Sequence, residues 1–252
     1  MTSNELHAWR GDTHVGVFID TGDGVTLHYD SDTVSPLSLS LPTNGEFSSK
    51  APARWLDGLL PERERDREAL ARKHGCTNEP FDLLQQVGAD VGGAISLLRA
   101  EESPSDGVAT AVTVTDEMIA LMITQQSRDL PPSNPGFGGR MSLAGYQAKF
   151  SLARTADGWQ TPTAVIPSTH IFKPPLVDHP NIHRLEAATL ELARRCGLAA
   201  ARARVVAFGG QECFVTTRFD RTLAFGSVER VHMEDCAQAI GRDRKHKYDV
   251  TA

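Results

Sequence analysis

Residues 182–196 carry apolar side chains at helical spacing, with Leu185, Ala188, Thr189, Leu192 and Ala193 on one face and Gly197 where a helix would stop. Strand-period residues flank this block on both sides. Residues 146–152, a turn at Ala156, Asp157 and Gly158, then 159–166 and 169–172 precede it. Residues 204–208 and 212–217 follow it and read as a hairpin around Gly209 and Gly210. Strands, one long helix and strands again restrict this half of the chain to an α+β domain, in the order of a small nucleotide-binding lobe.

The first half has a different grammar. Residues 5–29 alternate in short runs separated by Gly11 and by Thr21-Gly22-Asp23-Gly24, which predicts a small antiparallel meander. Leu37 and Leu41 lie in a proline-bounded stretch, 36–42, that reads as one more extended piece. A helix follows, with Pro52 in its first turn, Ala53, Trp55, Leu56, Leu59 and Leu60 as its apolar face and Pro61 as its stop. Residues 63–74 mix charges densely around Leu70 and predict an exposed helix ended by Gly75. Phe81, Leu83, Leu84 and Val87 continue at helical spacing before a strand near 94–98.

Residues 101–107, Glu-Glu-Ser-Pro-Ser-Asp-Gly, combine charge, Pro and Gly with nothing apolar to bury, so the domain boundary is expected there. That gives domains of 1–105 and 106–252. Thr115 caps a helix with Asp116 and Glu117 in its first turn, and Met118, Ile119, Leu121, Met122 and Ile123 are expected to bury one side of it. A proline-rich loop at 129–136 ends it.

Composition narrows the function classes. The 252 residues are 40% hydrophobic and 23% charged, as expected of a folded, soluble chain. A net charge of -6 provides no global basic footprint for nucleic acid, and the Arg- and Lys-rich stretch from 194 to 247 reads as a solvated face. Cys76, Cys196, Cys213 and Cys236 form no Cys-x-x-Cys pair and the nine His show no metal spacing, so no metal site is expected. The N-terminus lacks a secretory pattern, and the apolar run at 118–123 is far short of the roughly 20 residues that cross a bilayer. The expectation is a cytoplasmic protein with no membrane association.

The chemistry-bearing stretch is 138–173. Ser142 and Gly145 give a short backbone with available N–H groups, Lys149 ends that segment with a cation, and Lys173 ends a second apolar strand. Backbone donors and ammonium groups are what a polyphosphate needs as it leaves water. The spacing matches neither a P-loop nor Gly-x-Gly-x-x-Gly. From these residues alone two readings stand: a phosphate site, or a structural hairpin that needs Gly145 for its backbone angles.

Several blocks in order bring a resemblance. Ser142-Leu-Ala-Gly-Tyr-Gln-Ala-Lys, Ser168-Thr-His-Ile-Phe-Lys-Pro, Arg218-Phe-Asp-Arg and His232-Met-Glu-Asp-Cys-Ala-Gln, with Lys247-Tyr, resemble the HipA family of bacterial toxin kinases. Leu37-Ser-Leu-Ser-Leu-Pro, Leu59-Leu-Pro-Glu-Arg with Arg67, and the block from Phe81 to Ala94 resemble that family's N-terminal subdomain. The resemblance runs over essentially the whole chain. It implies a meander-plus-helices subdomain followed by the small lobe of a kinase of phosphatidylinositol-kinase-like fold. It also implies Ser/Thr protein kinase activity with ATP and Mg²⁺, a helix-turn-helix antitoxin of the HipB type as partner, and glutamyl-tRNA synthetase as the kind of substrate. DNA contact would fall to the antitoxin.

Residue by residue, Ser142 corresponds to the autophosphorylated serine. Ala144, Gly145, Tyr146, Gln147, Ala148 and Lys149 correspond to the segment over the nucleotide phosphates, and Lys173 to the lysine that reaches them. Thr217, Arg218 and Phe219 fall on the hinge that meets the adenine. Thr217 stands where the family commonly has an acidic or other polar residue. Chemistry adds Glu186, on the helix after Lys173, as the carboxylate that would pair with that lysine; the alternative is an exposed Glu beside Arg184 or Arg194. His170 and His232 are given no catalytic role, Asp220 is expected to pair with a neighbouring Arg, and Trp9, Trp55 and Trp159 are read as packing.

The family's catalytic Asp, Asn and metal-binding Asp come from a large helical lobe, in a His-x-x-Asp-x-His-x-x-Asn-like loop and a later acidic segment. Beyond Arg221 the only Asp residues are Asp235, Asp243 and Asp249, none in that setting. The expectation is a kinase small lobe without its C-lobe, with neither catalytic nor metal-binding residues of its own and inactive alone, or completed by a separate chain. A non-catalytic component that binds the antitoxin or a separate kinase chain is the competing reading.

Overall fold

The computed structural model describes residues 4–104, 111–128, 142–163, 166–224 and 227–249. Part of the expected linker, the proline-rich loop and Gly138 to Met141 lie outside them. Two compact units divide the chain. One takes Met1–Val108, Arg140–Tyr146 and Arg230–Ala252, the other Ala109–Gly139 and Gln147–Glu229.

In the first unit, β1 (Glu5–Arg10), β2 (Thr13–Asp20) and β3 (Val25–Tyr29) form the meander, and β4 (Ile95–Leu98) pairs antiparallel with β1, giving the order β3-β2-β1-β4. Strand alternation puts Leu6, Ala8 and Phe18 on the inner face. Helices α1 (Ala51–Asp57), α2 (Glu64–His74) and α3 (Pro80–Val87) supply Trp55, Leu56, Ala71, Phe81, Leu84 and Val87 to the same core. Phe18 and Trp55 stack with centroids 5.6 Å apart. Each fully buried side chain of this size stabilises by about 1.5–3 kcal/mol relative to exposure. Gly75 ends α2 at φ 66°, a left-handed position that a side chain resists.

Two expectations change here. Residues 36–42 form no strand: Ser38 and Leu41 bridge each other, and the Tyr29 hydroxyl takes up the backbone on both sides. It donates to the Leu41 carbonyl at 2.5 Å and accepts from the Leu37 N–H at 2.9 Å. Nor is α2 wholly exposed, because Arg67 is buried. Its guanidinium donates to the Asp57 carboxylate, to the Asp57 carbonyl at 2.9 Å and to the Pro61 carbonyl at 2.6 Å, holding the turn after α1.

The second unit is a six-stranded antiparallel sheet in the order β5-β7-β6-β8-β10-β9. Its strands are β5 (Thr113–Val114), β6 (Phe150–Thr155), β7 (Gly158–Gln160), β8 (His170–Lys173), β9 (Ala203–Phe208) and β10 (Gln211–Thr217). Helix α4 (Asp116–Ser127) begins at Thr115, whose hydroxyl accepts the Met118 N–H. Ile119 and Ile123 of α4 join Phe150, Leu152, Trp159, Phe172, Phe208, Cys213 and Val215 in the core. Leu121 points away and is 46% exposed, because it lies off the Ile119–Ile123 stripe. Helix α5 (Ile182–Arg195) packs on β9 and β10, and a ribbon of β11 (Arg221–Ala224) and β12 (Ser227–Arg230) follows.

The face that α5 buries differs from the expected one. Leu185 and Leu192 are 66% and 61% exposed, while His183 is buried and Glu186, Ala187 and Leu190 are partly covered, at the spacing of one helix stripe.

Candidate functional site

Cross-strand register sorts the sheet of the second unit into two faces. Phe214 pairs with Lys173 and Thr216 with Ile171, so these four share a face; Phe172, His170, Val215 and Thr217 share the other. Lys173, the last residue of β8, meets α5 on its face. Its Nζ donates to Glu186 Oε1 at 2.5 Å and lies 5.3 Å from the Phe214 ring centroid. Both side chains of the pair are partly buried, at 22% and 29% exposure.

The arginines beside Glu186 take other partners. Arg184 donates to Glu212 at 2.7 Å and Arg194 to Glu191 at 2.8 Å. Glu212 also meets His183 Nε2 at 3.3 Å, so two residues of the first turn of α5 fasten it to β10. Hydrogen bonds from Arg184 and His183 hold the Glu212 carboxyl below the usual range. With its start fastened, α5 presents Glu186 one turn later to the strand lysine.

The expected hinge has one buried and two exposed members. The Arg218 side chain is buried, with Nε 2.9 Å and Nη2 2.6 Å from the two oxygens of Asp220, and with Nη1 donating to Ser168 Oγ at 2.8 Å. Arg221 donates to the same carboxylate at 2.9 Å. The Arg218 N–H is taken by the Thr169 carbonyl at 2.9 Å. Arg218 is therefore a structural residue by side chain and backbone N–H alike, and the segment offers a ligand the 76% exposed ring of Phe219 and the exposed Thr217.

The residues of the expected phosphate segment divide between the units. Ser142, Ala144, Gly145 and Tyr146 belong to the first. There Ser142 is 2% exposed; its hydroxyl donates to the Leu59 carbonyl at 2.8 Å and its N–H to the Asp90 carbonyl at 3.1 Å. Gly145 has φ 109° and bridges Pro61, and its carbonyl accepts the Glu62 N–H at 3.3 Å. That backbone angle requires glycine whatever else the segment does. Tyr146 is 67% exposed, with the Arg63 guanidinium 5.8 Å from its ring centroid. Gln147, Ala148 and Lys149 lead into β6 in the second unit. Ala148 is buried, Lys149 partly so, and Gln147 Nε2 is buried with no hydrogen-bond partner among the described residues.

Sequence reasoning passed over the ties that hold Ser142's surroundings. Asp90 is buried and accepts from Arg230 at 2.8 Å. Lys247 donates to Glu62 and Asp235 at 2.8 Å each, and Arg244 to Asp57 at 3.1 Å. Burial pulls the Lys247 ammonium down, and the two carboxylates outweigh it and leave its pKa raised. Their signal in the sequence was only a charged C-terminal stretch, which periodicity cannot assign to a partner. Trp55 and Trp159 are core residues, and Trp9 meets His14 edge-on at 4.8 Å. His170 packs edge-on to Trp159 at 5.0 Å, and burial with Arg204 and Arg154 nearby lowers its pKa to about 4. Burial, with Arg10 nearby, also lowers that of His232.

Two family models match the chain: the HipA N-terminal domain over residues 6–98 and the HipA-like C-terminal domain over residues 141–252. The chain belongs to the HipA family. Over 98% of its length it is 33% identical to "Putative kinase Y4mE" of Sinorhizobium fredii. It is 29% identical, over 97% of its length, to "Serine/threonine-protein kinase toxin HipA" of Shewanella oneidensis. It spans 62% and 57% of those two proteins. Among solved structures, the complex of Shewanella oneidensis HipA with HipB and operator DNA matches with a TM-score of 0.79 and 27% identity, over 96% of this chain and 57% of the other. The mixed α and β fold is thus that of HipA. No helix among the described residues is long and apolar enough to cross a membrane.

Proposed function

We propose that the second unit is the nucleotide-binding small lobe of a HipA-type Ser/Thr protein kinase, which takes ATP with Mg²⁺ for phosphoryl transfer to a protein. The observation that carries this is the Lys173–Glu186 pair, a strand lysine steadied by a carboxylate on the following helix. Such a pair holds an ammonium in place before the phosphates arrive, so less conformational freedom is lost on binding. ATP fits two further features of this unit. Gln147 Nε2 is a buried donor with no partner among the described residues. Phe219 presents an open aromatic face beside Thr217. Ala144, Gly145 and Tyr146 enter the site by the resemblance alone.

The metal is a different matter. Among the described residues no group of three or more His, Cys, Asp or Glu is arranged to hold an ion. Ligands for Mg²⁺ would come from a kinase C-lobe on a separate chain or from sequence beyond these residues. In this reading the chain binds nucleotide and does not turn it over alone. The partner is a HipB-type antitoxin, in line with the composition of the matched complex, and the protein acts in the cytoplasm without touching DNA itself.

The test is incubation of the purified chain with Mg²⁺ and γ-labelled ATP, beside Lys173→Ala. No label on Ser142 above the variant's background is expected. Labelling of Ser142 that requires Lys173 would contradict the inactivity and support a complete kinase. The competing reading is a non-catalytic component; antitoxin binding unaffected by Lys173→Ala and by ATP would speak for it.

A further inference from the structure

The Lys173 face of the sheet is the one the nucleotide reading uses. The opposite face is covered unevenly. Helix α4 lies over the hairpin end of β9 and β10, where a Cβ on Gly209 would stand 3.0 Å from Ala120 Cβ. At the other end of the same strands, a cleft of about 320 Å³ opens, lined by His170, Arg202, Ala203, Arg204, Val215 and Thr217.

The polar part of its lining is cationic or neutral. Arg202 and Arg204 are exposed, and neither forms an ion pair among the described residues. Arg154 lies over the Trp159 ring at 4.9 Å, and Trp159 in turn meets His170. His170 is hydrogen-bonded through Nδ1 to Thr169 Oγ1 at 2.8 Å and through Nε2 to Thr217 Oγ1 at 3.5 Å. Other arginines of this unit are paired, Arg184 with Glu212 and Arg218 with Asp220 among them. Two guanidiniums left without counter-charge around a concavity keep their donors available to a ligand.

We infer that this cleft is an anion site, in which Arg202 and Arg204 hold the phosphate group of a small phosphate-bearing molecule and the hydroxyl of Thr217 completes its hydrogen bonding. A concave site suits a small anion better than an extended polyanion, which a convex basic surface would serve. The low pKa of His170, caused by burial and by Arg204 and Arg154, agrees with a positive field in the empty cleft. The cleft lies on the face of the sheet opposite Lys173 and shares only Thr217 with the expected hinge.

The test therefore starts from Lys173→Ala, so that failure of the nucleotide site cannot influence it. Inorganic pyrophosphate is titrated into this chain while the His170 ring signals are followed by NMR. A saturable shift is expected, with the imidazole midpoint moving up from about 4, because a bound anion favours the protonated ring. Adding Arg202→Gln and Arg204→Gln should weaken binding about tenfold or more with the thermal midpoint unchanged, since both side chains are on the surface. Competition by ATP would show that the phosphates of a nucleotide are accepted, and indifference to ATP would show a site for the free anion. The inference is overturned if millimolar pyrophosphate gives no saturable shift, or if the double substitution leaves its affinity unchanged.

Discussion

Ser142 donates its hydroxyl to the carbonyl of Leu59 at 2.8 Å, in surroundings that leave it 2% exposed. The residue that would accept phosphate is thus a donor inside the first unit. A phosphate there would put about two negative charges against a carbonyl that now accepts a hydrogen bond, and burial of such a group is too costly to keep. Ser142→Asp is expected to loosen residues 142–146, seen as faster amide exchange and a new protease site. Ser142→Ala should lose only one hydrogen bond, about 1 kcal/mol, or a fall of about 2–4 °C in thermal midpoint. Unchanged exchange in Ser142→Asp would show that the pocket tolerates the charge.

Asp220 serves two buried arginines. Its replacement by Asn would leave Arg218 and Arg221 in a site sealed from water without the carboxylate they share. Breaking a buried pair in this way costs about 3–5 kcal/mol. Asp220→Asn is expected to lower the denaturant midpoint strongly, whereas Phe219→Ala, at an exposed position, should leave it within about 0.5 kcal/mol. Equal effects of the two would contradict the structural role given to this turn.

His170 gives a pH dependence with a defined sign. Its folded pKa of about 4 lies below the unfolded value of 6.5, so the unfolded chain binds the proton first. Its contribution is fully present above pH 6.5 and is lost as the pH falls from there toward 4. His170→Gln should flatten the acid-side slope of stability in that window, measured as denaturant midpoint against pH. An unchanged slope in the variant would mean that the ring is freely protonated in the folded state.

Helix α5 shows where the sequence was legible and where it was not. Its limits were readable from apolar spacing and from Gly197, and the strands around it from period-two runs and paired glycines. Its buried face was not. His183 and Glu186 turn inward because Glu212 and Lys173 await them on the sheet, and those partners lie outside the helix's own pattern. Leu185 and Leu192 are left on the outside as a result. Residues 36–42, expected as an extended piece, differ for a similar reason, since a single hydroxyl, on Tyr29, takes up the backbone on both sides of the turn. The lysine and its carboxylate were legible because a chemical role, rather than periodicity, pointed to them.

The same reversal of faces can be measured. Leu190→Ser, on the covered stripe, should cost about 1–2 kcal/mol, and Leu185→Ser should change stability by no more than about 0.5 kcal/mol. A larger cost at Leu185 would restore the face that apolar spacing suggested.

The proposed nucleotide site depends on Lys173 as the phosphate-contacting lysine of a folded small lobe. Its most direct test is calorimetric titration of ATP into the purified chain, with and without Mg²⁺, beside Lys173→Ala and Glu186→Gln. Saturable binding is expected in the unaltered chain, lost in Lys173→Ala and weakened in Glu186→Gln, with circular dichroism spectra of all three alike. ATP binding that is equally tight in all three, or absent from the folded unaltered chain, would contradict it.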